Sequence, residues 1–272
     1  MNLLHAALLG LIQGATEILP ISSSGHLILI PRLLGWPDSG LTFDVALHFG
    51  TFLAIFVYFR KDVVTLVQDG LTGFYQPEAP RRLRLPWMIV LASVPAAIAG
   101  KTLEQPIEEL FRNSPLMIAL MLILFGLGLG LTDRYGKKLH DVASITLGTA
   151  MLVGCFQCLA LVPGVSRSGI TITAGLLLGL ARTDAARFSF LLSLPIVFGA
   201  ALLKGLHLLK HGIEPGMAQP MLVGVVVSTV VGYLSVAFLL KFVQNRTLWP
   251  FVWYRFAVGI GIMALLGAGL LS

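Results

Sequence analysis

Three ionisable side chains, Glu17, His26 and Arg167, stand within or between stretches of sequence that are otherwise apolar. A charge inside a membrane costs several kcal/mol, so each of them needs a partner or a function. Gln13 precedes Glu17 by four residues, which places both side chains on one face of a helix. If the segments that carry them meet, an acid, an imidazole and a guanidinium share one pocket.

Two short polar loops surround these residues, and each is followed by an apolar segment. Their candidate anion-binding residues are Ser22, Ser23, Ser24 and Gly25 in the first loop and Ser166, Ser168 and Gly169 in the second. A helix that begins at such a loop offers backbone N–H groups, hydroxyl donors and the positive end of its dipole. With the planar fork of Arg167 between them, two such helix starts are suited to a diphosphate. For either loop alone, serines that merely cap a helix are the simpler explanation.

The acid has a separate role in this interpretation. Glu17 repels phosphate directly, but with Gln13 it is placed to hold a divalent cation that bridges phosphate oxygens. The alternative for Glu17 is a structural pairing near the membrane interface, and for His26 an interfacial histidine whose hydrogen bonds are satisfied.

The elements that position these residues are predicted to be membrane helices. The chain is 56% hydrophobic and 12% charged, about half the usual charged fraction, with a mean hydropathy of +0.88. Long apolar stretches recur near 43–59, 87–100, 115–132, 143–162, 188–203, 219–240 and 251–271. We therefore predict one all-α integral membrane domain over 1–272. The pI near 9.6 does not indicate nucleic acid, because the basic residues lie mostly between spans, where they set topology.

The sequence repeats itself once, in halves of about 1–140 and 141–272. Gly10, Gln13, Ser24, Gly25 and Gly35 reappear as Gly154, Gln157, Ser168, Gly169 and Gly179, all at an offset of 144. In each half the polar loop divides an apolar region into two pieces, of which the second is too short to span a membrane. Each pair therefore predicts a re-entrant helical hairpin.

Three full spans separate the two hairpins, so they are expected to enter from opposite faces. This arrangement predicts an inverted-topology repeat of two five-helix halves whose broken helices meet near the membrane midplane. The side richer in basic residues, to which Arg187 and Arg255 are assigned as loop residues, is expected to be cytoplasmic. The segment 60–86 is predicted to be the longest loop, on that same side.

Two segments resemble the signature motifs of the bacitracin-resistance family of undecaprenyl-diphosphate phosphatases: Q-G-A-T-E-I-L-P-I-S-S-S-G-H at 13–26 and P-G-V-S-R-S-G at 163–169. The resemblance extends to 154–161, 188–195 and Y-R-F at 254–256. It implies a multi-pass protein of the bacterial cytoplasmic membrane that converts undecaprenyl diphosphate to the monophosphate carrier used for cell-wall precursors. It also implies bacitracin resistance and a divalent cation, Mg²⁺ or Ca²⁺.

The resemblance assigns roles residue by residue. Glu17 matches the second acid of the family's acidic motif, and Gln13 fills the first position, where glutamine supplies one metal ligand fewer than glutamate. Ser23 matches the proposed nucleophile, His26 the acid/base or alternative nucleophile, and Arg167 the diphosphate-binding residue. His26 acting as the base for Ser23 is the more natural chemistry, but the sequence does not decide between the two nucleophiles.

A second class of membrane protein shares the inverted-repeat architecture predicted here. Transporters and lipid flippases use inverted repeats with broken helices, and an anion site at the midplane serves transport as well as hydrolysis. The set of serine, histidine and glutamate side chains exceeds what binding needs, which favours the enzyme. The expected partner is a polyprenyl diphosphate lipid, and a homodimer is left open.

Overall fold

A computed structural model describes residues 2–36, 40–74, 81–211 and 216–271, and these residues form eleven α-helices and two short 3-10 turns. The helices are α1 (Leu3–Ile18), α2 (Ser23–Leu34), α3 (Gly40–Tyr58), α4 (Arg60–Phe74), α5 (Arg81–Arg112), α6 (Pro115–Tyr135), α7 (Leu147–Gln157), α8 (Arg167–Leu177), α9 (Arg182–His211), α10 (Ala218–Asn245) and α11 (Trp249–Gly267). The prediction of an all-α chain is thus confirmed.

Within the described ranges, five helices are long and apolar enough to cross a membrane, namely α5, α6, α9, α10 and α11. A sixth span is counted if α3 and α4, which meet at a 78° bend, are taken as one broken span. The protein is therefore a multi-pass membrane protein. The apolar helix α1 and the segment Leu147–Leu161 are shorter, as the two hairpins require.

Each predicted hairpin is a pair of short helices, α1 with α2 and α7 with α8. The first helix of each pair packs closely on a long span, α1 on α10 and α7 on α5. Gly10 and Gly154, which match in the repeat, lie at these contacts. A Cβ on Gly10 would lie 2.7 Å from the Gly224 carbonyl oxygen, and one on Gly154 would meet the Ala92 carbonyl oxygen. Equivalent positions thus make equivalent contacts, while the inverted relation of the halves stays a prediction.

The segment 60–86 is not the long loop that was predicted. It contains α4 and the start of α5, separated by residues 75–80, which lie outside the described part of the chain. Val63 and Leu66 of α4 pack on the core, whereas Arg60 and Lys61 are exposed. This amphipathic helix has low overall hydropathy, which is why a search for uniformly apolar stretches misses it. The described first half therefore has six helices rather than five.

Most of the basic residues assigned to loops lie in helices instead, and two of them join separate parts of the structure. Arg187 belongs to α9 and forms an ion pair with Asp62 of α4. Arg255 belongs to α11 and is fully buried. Arg187 lies just before the apolar stretch 188–203 and belongs to the helix because α9 begins earlier, at Arg182, whereas Arg255 lies inside the stretch 251–271 and was counted with the loops although it belongs to the span.

Candidate functional site

The two hairpin turns share one local structure. Ser22 is the N-cap of α2 and Ser166 the N-cap of α8, with φ of 77° and 74°. Each hydroxyl oxygen accepts a hydrogen bond from the backbone N–H three residues later, of Gly25 at 3.4 Å and of Gly169 at 3.1 Å. A serine with positive φ is uncommon, and the same reversal at both turns aims both helix N-termini inward.

The two turns touch each other, as the sequence predicts. The Ser22 hydroxyl oxygen also accepts a hydrogen bond from the backbone N–H of Gly164, at 3.1 Å. From the second turn, the Ser168 hydroxyl donates to the carbonyl oxygen of Leu19 at 3.3 Å. Each turn therefore satisfies a polar backbone group of the other, which fixes their relative position inside the protein.

Arg255 joins both turns to the last helix. Its guanidinium makes six hydrogen bonds, all to backbone carbonyl oxygens. One acceptor is Pro20 of the first turn, at 3.3 Å, and two are Gly164 and Val165 of the second, at 2.8 and 3.1 Å. The remaining acceptors belong to α6. A fully buried guanidinium held in this way orients the backbone of both turns at once.

Glu17 is the centre of the polar cluster that the turns enclose. Arg167 Nη2 donates to Glu17 Oε1 at 2.8 Å, and the Ser23 hydroxyl donates to Glu17 Oε2 at 2.5 Å. His48 Nδ1 lies 3.2 Å from Oε2, as does the amide nitrogen of Gln13. The predicted meeting of Glu17 and Arg167 is therefore observed, and the carboxylate, 6% exposed, has partners at both oxygens.

A cavity of about 200 Å³ opens beside this cluster. Its polar lining residues are Glu17, Ser23, Ser24, Asp44, His48, Glu104, Arg112, Ser166 and Arg167. Arg112 Nη2 lies 3.4 Å from Asp44 Oδ2. The N-termini of α2 and α8 thus face a space that also contains two guanidinium groups, which suits an anion with several phosphate oxygens.

His26 does not join Glu17, contrary to the predicted convergence. Its Nδ1 is 2.7 Å from the Ser22 carbonyl oxygen, and its Nε2 is 2.8 Å from the Tyr254 hydroxyl, with the two rings stacked. Since a carbonyl only accepts, Nδ1 donates to it and Nε2 accepts from tyrosine. The imidazole at the carboxylate is that of His48. Position 26 lies on the face of α2 turned towards α11, so His26 has no hydrogen bond to Ser23.

The predicted anion-binding residues divide into two groups. Ser24 and Ser166 line the cavity together with Ser23 and Arg167. The others, Ser22, Gly25, Ser168 and Gly169, are outside its lining and make the hydrogen bonds within and between the turns. Their contribution in this geometry is to hold the turns, because their polar groups are already paired.

The predicted metal ligands are Gln13 and Glu17. Within the described part of the chain, the side-chain oxygen of Gln13 is buried and has no hydrogen-bond partner, and the same holds for both polar side-chain atoms of Gln157. Among the described residues no group of three His, Cys, Asp or Glu side chains is arranged to enclose a metal ion. The acidic cavity residues, Glu17, Asp44 and Glu104, supply oxygen alone. These oxygen donors fit an ion such as Mg²⁺, which is held by one or two carboxylates and completes its coordination shell with water and substrate oxygens. The described residues do not by themselves supply a complete coordination shell.

For several residues of the site, the sequence gives little evidence of a role. Asp44 and His48, spaced by four residues in an apolar stretch, gave a signal that a helix-surface pair explained equally well. Tyr254 was named only as part of the Y-R-F resemblance, and Arg255 only there and among the loop residues. Arg255 lies inside the apolar stretch 251–271, so the signal that selected Arg167, a charged residue within an apolar segment, also applies to Arg255.

Comparison with known proteins agrees with the resemblance. A family model described as "Bacitracin resistance protein BacA" matches residues 6–261. The sequence is 94% identical over 272 residues to a protein of Trichlorobacter lovleyi, with both chains covered completely. It is 58% identical to a protein of Pelobacter propionicus, covering 99% of each chain, and 41% identical to one of Thermobifida fusca, covering 100% of this chain and 93% of the other. All three relatives are named undecaprenyl-diphosphatase.

Proposed function

The chain belongs to the bacitracin resistance protein BacA family, and from this premise we propose that it hydrolyses undecaprenyl diphosphate to undecaprenyl phosphate and phosphate. The reaction regenerates the lipid carrier for cell-wall synthesis and thereby confers bacitracin resistance. The observation that carries the proposal is the shared carboxylate of Glu17, which accepts from Arg167 on one oxygen and from Ser23 on the other. A nucleophile, its base and an oxyanion-binding group are thus in direct contact.

Substrate binding begins with Arg167. The guanidinium is paired with Glu17 in the structure, and an entering diphosphate competes for it with a larger negative charge. The N-termini of α2 and α8 add backbone dipoles on the same side of the cavity. Transfer of Arg167 from the carboxylate to the phosphate frees Glu17 to act as a base, so binding and activation are coupled.

Ser23 is the nucleophile that the geometry favours. Its hydroxyl already donates to Glu17, which takes the proton while the oxygen attacks the terminal phosphorus. The bond from phosphorus to the bridging oxygen breaks, and undecaprenyl phosphate leaves with the proton that Glu17 took from Ser23. Glu17, again a carboxylate, then takes a proton from water as that water attacks the phosphoserine. The bond from phosphorus to the serine oxygen breaks, phosphate leaves, and Glu17 returns the proton to Ser23. His26 attacks only if it first gives up its hydrogen bond from Tyr254.

A divalent cation, Mg²⁺ or Ca²⁺, is part of the proposal. Glu17 and Asp44 are the carboxylates that would hold it, with the unpartnered side-chain oxygen of Gln13 close to Glu17. Such an ion, when bound, neutralises negative charge on the phosphate oxygens. The protein residues then have to align Ser23 with the terminal phosphorus.

We place the protein in the bacterial cytoplasmic membrane, with the polyprenyl tail of the substrate lying among the membrane-facing helices. We also propose a homodimer, and a measurement of the oligomeric state in detergent tests it. Transport or flipping of the lipid has no observation in its favour beyond the helical architecture, whereas the family and the named relatives support hydrolysis.

The decisive experiment uses purified protein and undecaprenyl diphosphate labelled with ³²P in its terminal phosphate. We expect release of labelled phosphate and, after rapid acid quenching, an acid-stable label on the peptide that contains Ser23. Ser23→Ala should lose this label, and Ser24→Ala, a serine of the same turn, should keep it. An acid-labile label on His26 would overturn the serine mechanism, and absence of any phosphate release from the wild type would overturn the function.

A further inference from the structure

A second pocket of about 220 Å³ lies next to the cavity, where α2 and α5 end. We call it the arginine pocket, after Arg32 and Arg112, which line it together with Trp36 and Asn113. The arginine pocket and the cavity have three lining residues in common, namely Leu27, Ile28 and Arg112. Arg112 therefore lies between the cavity, which contains Arg167, and the part of the arginine pocket that contains Arg32.

Among the described residues that line the arginine pocket, the charged side chains are all basic. Its polar side chains are two guanidinium groups and one amide, and none of the described residues that line it is acidic. Arg32 Nη1 donates to the backbone carbonyl oxygen of Arg112 at 3.4 Å, which keeps the two arginines together. The ion pair of Arg112 with Asp44 lies on the cavity side. The two guanidinium groups that line this pocket are planar donor groups that match phosphate oxygens.

The structural explanation of Arg32 is the interaction of a cation with a helix C-terminus. Arg32 lies in the last turn of α2, where a positive charge stabilises the helix dipole, and it also binds the last carbonyl of α5. That role accounts for one arginine at this place. It does not require that a second guanidinium line the same pocket, nor that this pocket adjoin the cavity of Glu17 and Arg167.

We propose that the arginine pocket binds the inorganic phosphate released in the cavity, and that Arg112 passes it to Arg32 on the way to solvent. This inference rests on the proposed hydrolysis, since phosphate is the product of that reaction. Arg112 contributes to both spaces, whereas Arg32 lines only the arginine pocket. Arg32 is therefore the residue through which product binding can be changed without altering the catalytic cluster.

The test is product inhibition of the purified full chain in detergent and phosphate-free buffer. We expect Arg32→Gln to raise the inhibition constant of inorganic phosphate about three- to tenfold, since one charge-assisted contact at an exposed position is lost. The value of kcat/KM for the lipid should stay within about twofold of wild type, because Arg32 does not line the cavity. Arg32→Lys, which keeps the charge but loses the planar fork, should give an intermediate value.

Arg60→Gln is the matched control. Arg60 is also exposed at a helix end, and its Nη1 also donates to a backbone carbonyl oxygen, that of Val57 at 3.1 Å. It lines neither space, so its variant should keep the wild-type inhibition constant. Thermal unfolding of the three variants measures any loss of helix capping separately.

The affinity for inorganic phosphate is also measured without turnover, by a ³¹P NMR titration of wild type and Arg32→Gln. Equal affinities, or an unchanged inhibition constant in an active Arg32→Gln enzyme, would overturn the arginine pocket and leave the proposed function standing. A phosphate group can also belong to a phospholipid headgroup. If Arg32→Gln changed only the response to phosphatidylglycerol in mixed micelles, the ligand would be that headgroup and our assignment would be wrong.

Discussion

The two hairpin turns have the same backbone conformation but different functional side chains. Ser22 and Ser166, at equivalent positions of the repeat, both have positive φ and both cap the following helix. One residue later, the first turn has Ser23 where the second has Arg167. The hydroxyl and the guanidinium therefore extend from equivalent helix starts towards the same carboxylate. The comparison shows that the repeat preserves the scaffold while each half supplies a different part of the site.

The carboxylate itself is present in only one half. The position equivalent to Glu17 is Leu161, which lines the same cavity. Gln13 and its equivalent Gln157 are both buried with unpartnered polar atoms. A pair of acids would repel each other and the substrate, whereas one acid opposite one guanidinium neutralises the empty site. Loss of symmetry at this position thus leaves a single carboxylate at the meeting point of the two turns.

The largest expected effect distinguishes the two equivalent positions. Glu17→Gln should lower kcat/KM by about 10³-fold or more, because the variant loses the base for Ser23 and the ion pair with Arg167. Leu161→Ala, at the equivalent position, should lower it less than about tenfold, since only apolar contact is lost. Phosphate release from undecaprenyl diphosphate by the purified variants measures both. Equal losses would mean that the two halves contribute alike, against the division described above.

An intermediate effect, on stability, tests the shared scaffold. Ser22→Ala and Ser166→Ala should each destabilise the protein by about 1 kcal/mol through loss of the helix cap. The loss should be greater at Ser22, whose hydroxyl also accepts from Gly164. Glycine at either position should be milder than alanine, because glycine adopts positive φ without strain. Thermal unfolding in detergent gives the order, and a stabilising alanine variant would contradict the caps.

The smallest expected effect concerns Ser24, the third serine of the first turn. Ser24→Thr retains the hydroxyl, which lies 3.4 Å from that of Ser22, and adds one methyl group at the cavity wall. We expect kcat/KM to change less than about twofold. The same assay measures it, and a loss comparable to that of Ser23→Ala would show that Ser24 takes part in the chemistry.

Much of this architecture follows from the sequence because the membrane imposes simple rules. Apolar length predicts the spans, and the repeat predicts the two turns and their contact. An isolated charge in an apolar stretch predicts a buried partner, and Glu17 and Arg167 prove to be partners of each other. These predictions succeed because each depends on composition or on spacing along one chain segment.

The rest depends on which faces of separate helices meet, and sequence spacing does not contain that information. His26 was expected at Glu17, yet its ring binds Tyr254 of α11, and His48 of α3 takes the place beside the acid. The helix α4 was missed because its two faces average to low hydropathy. The position of Arg255 was misjudged although it lies inside the apolar stretch 251–271, because a basic residue near the end of a span was counted with the loops.

Arg255 has a consequence for the order in which the molecule matures. The ribosome delivers α11 last, so both hairpins are synthesised before the residue that binds their backbones exists. Until then the turns depend on the contacts that they make with each other. A nascent chain that lacks α11 also lacks the hydrogen bonds from Arg255 to the two turns. The arrival of α11 thus completes the set of contacts that holds both turns together.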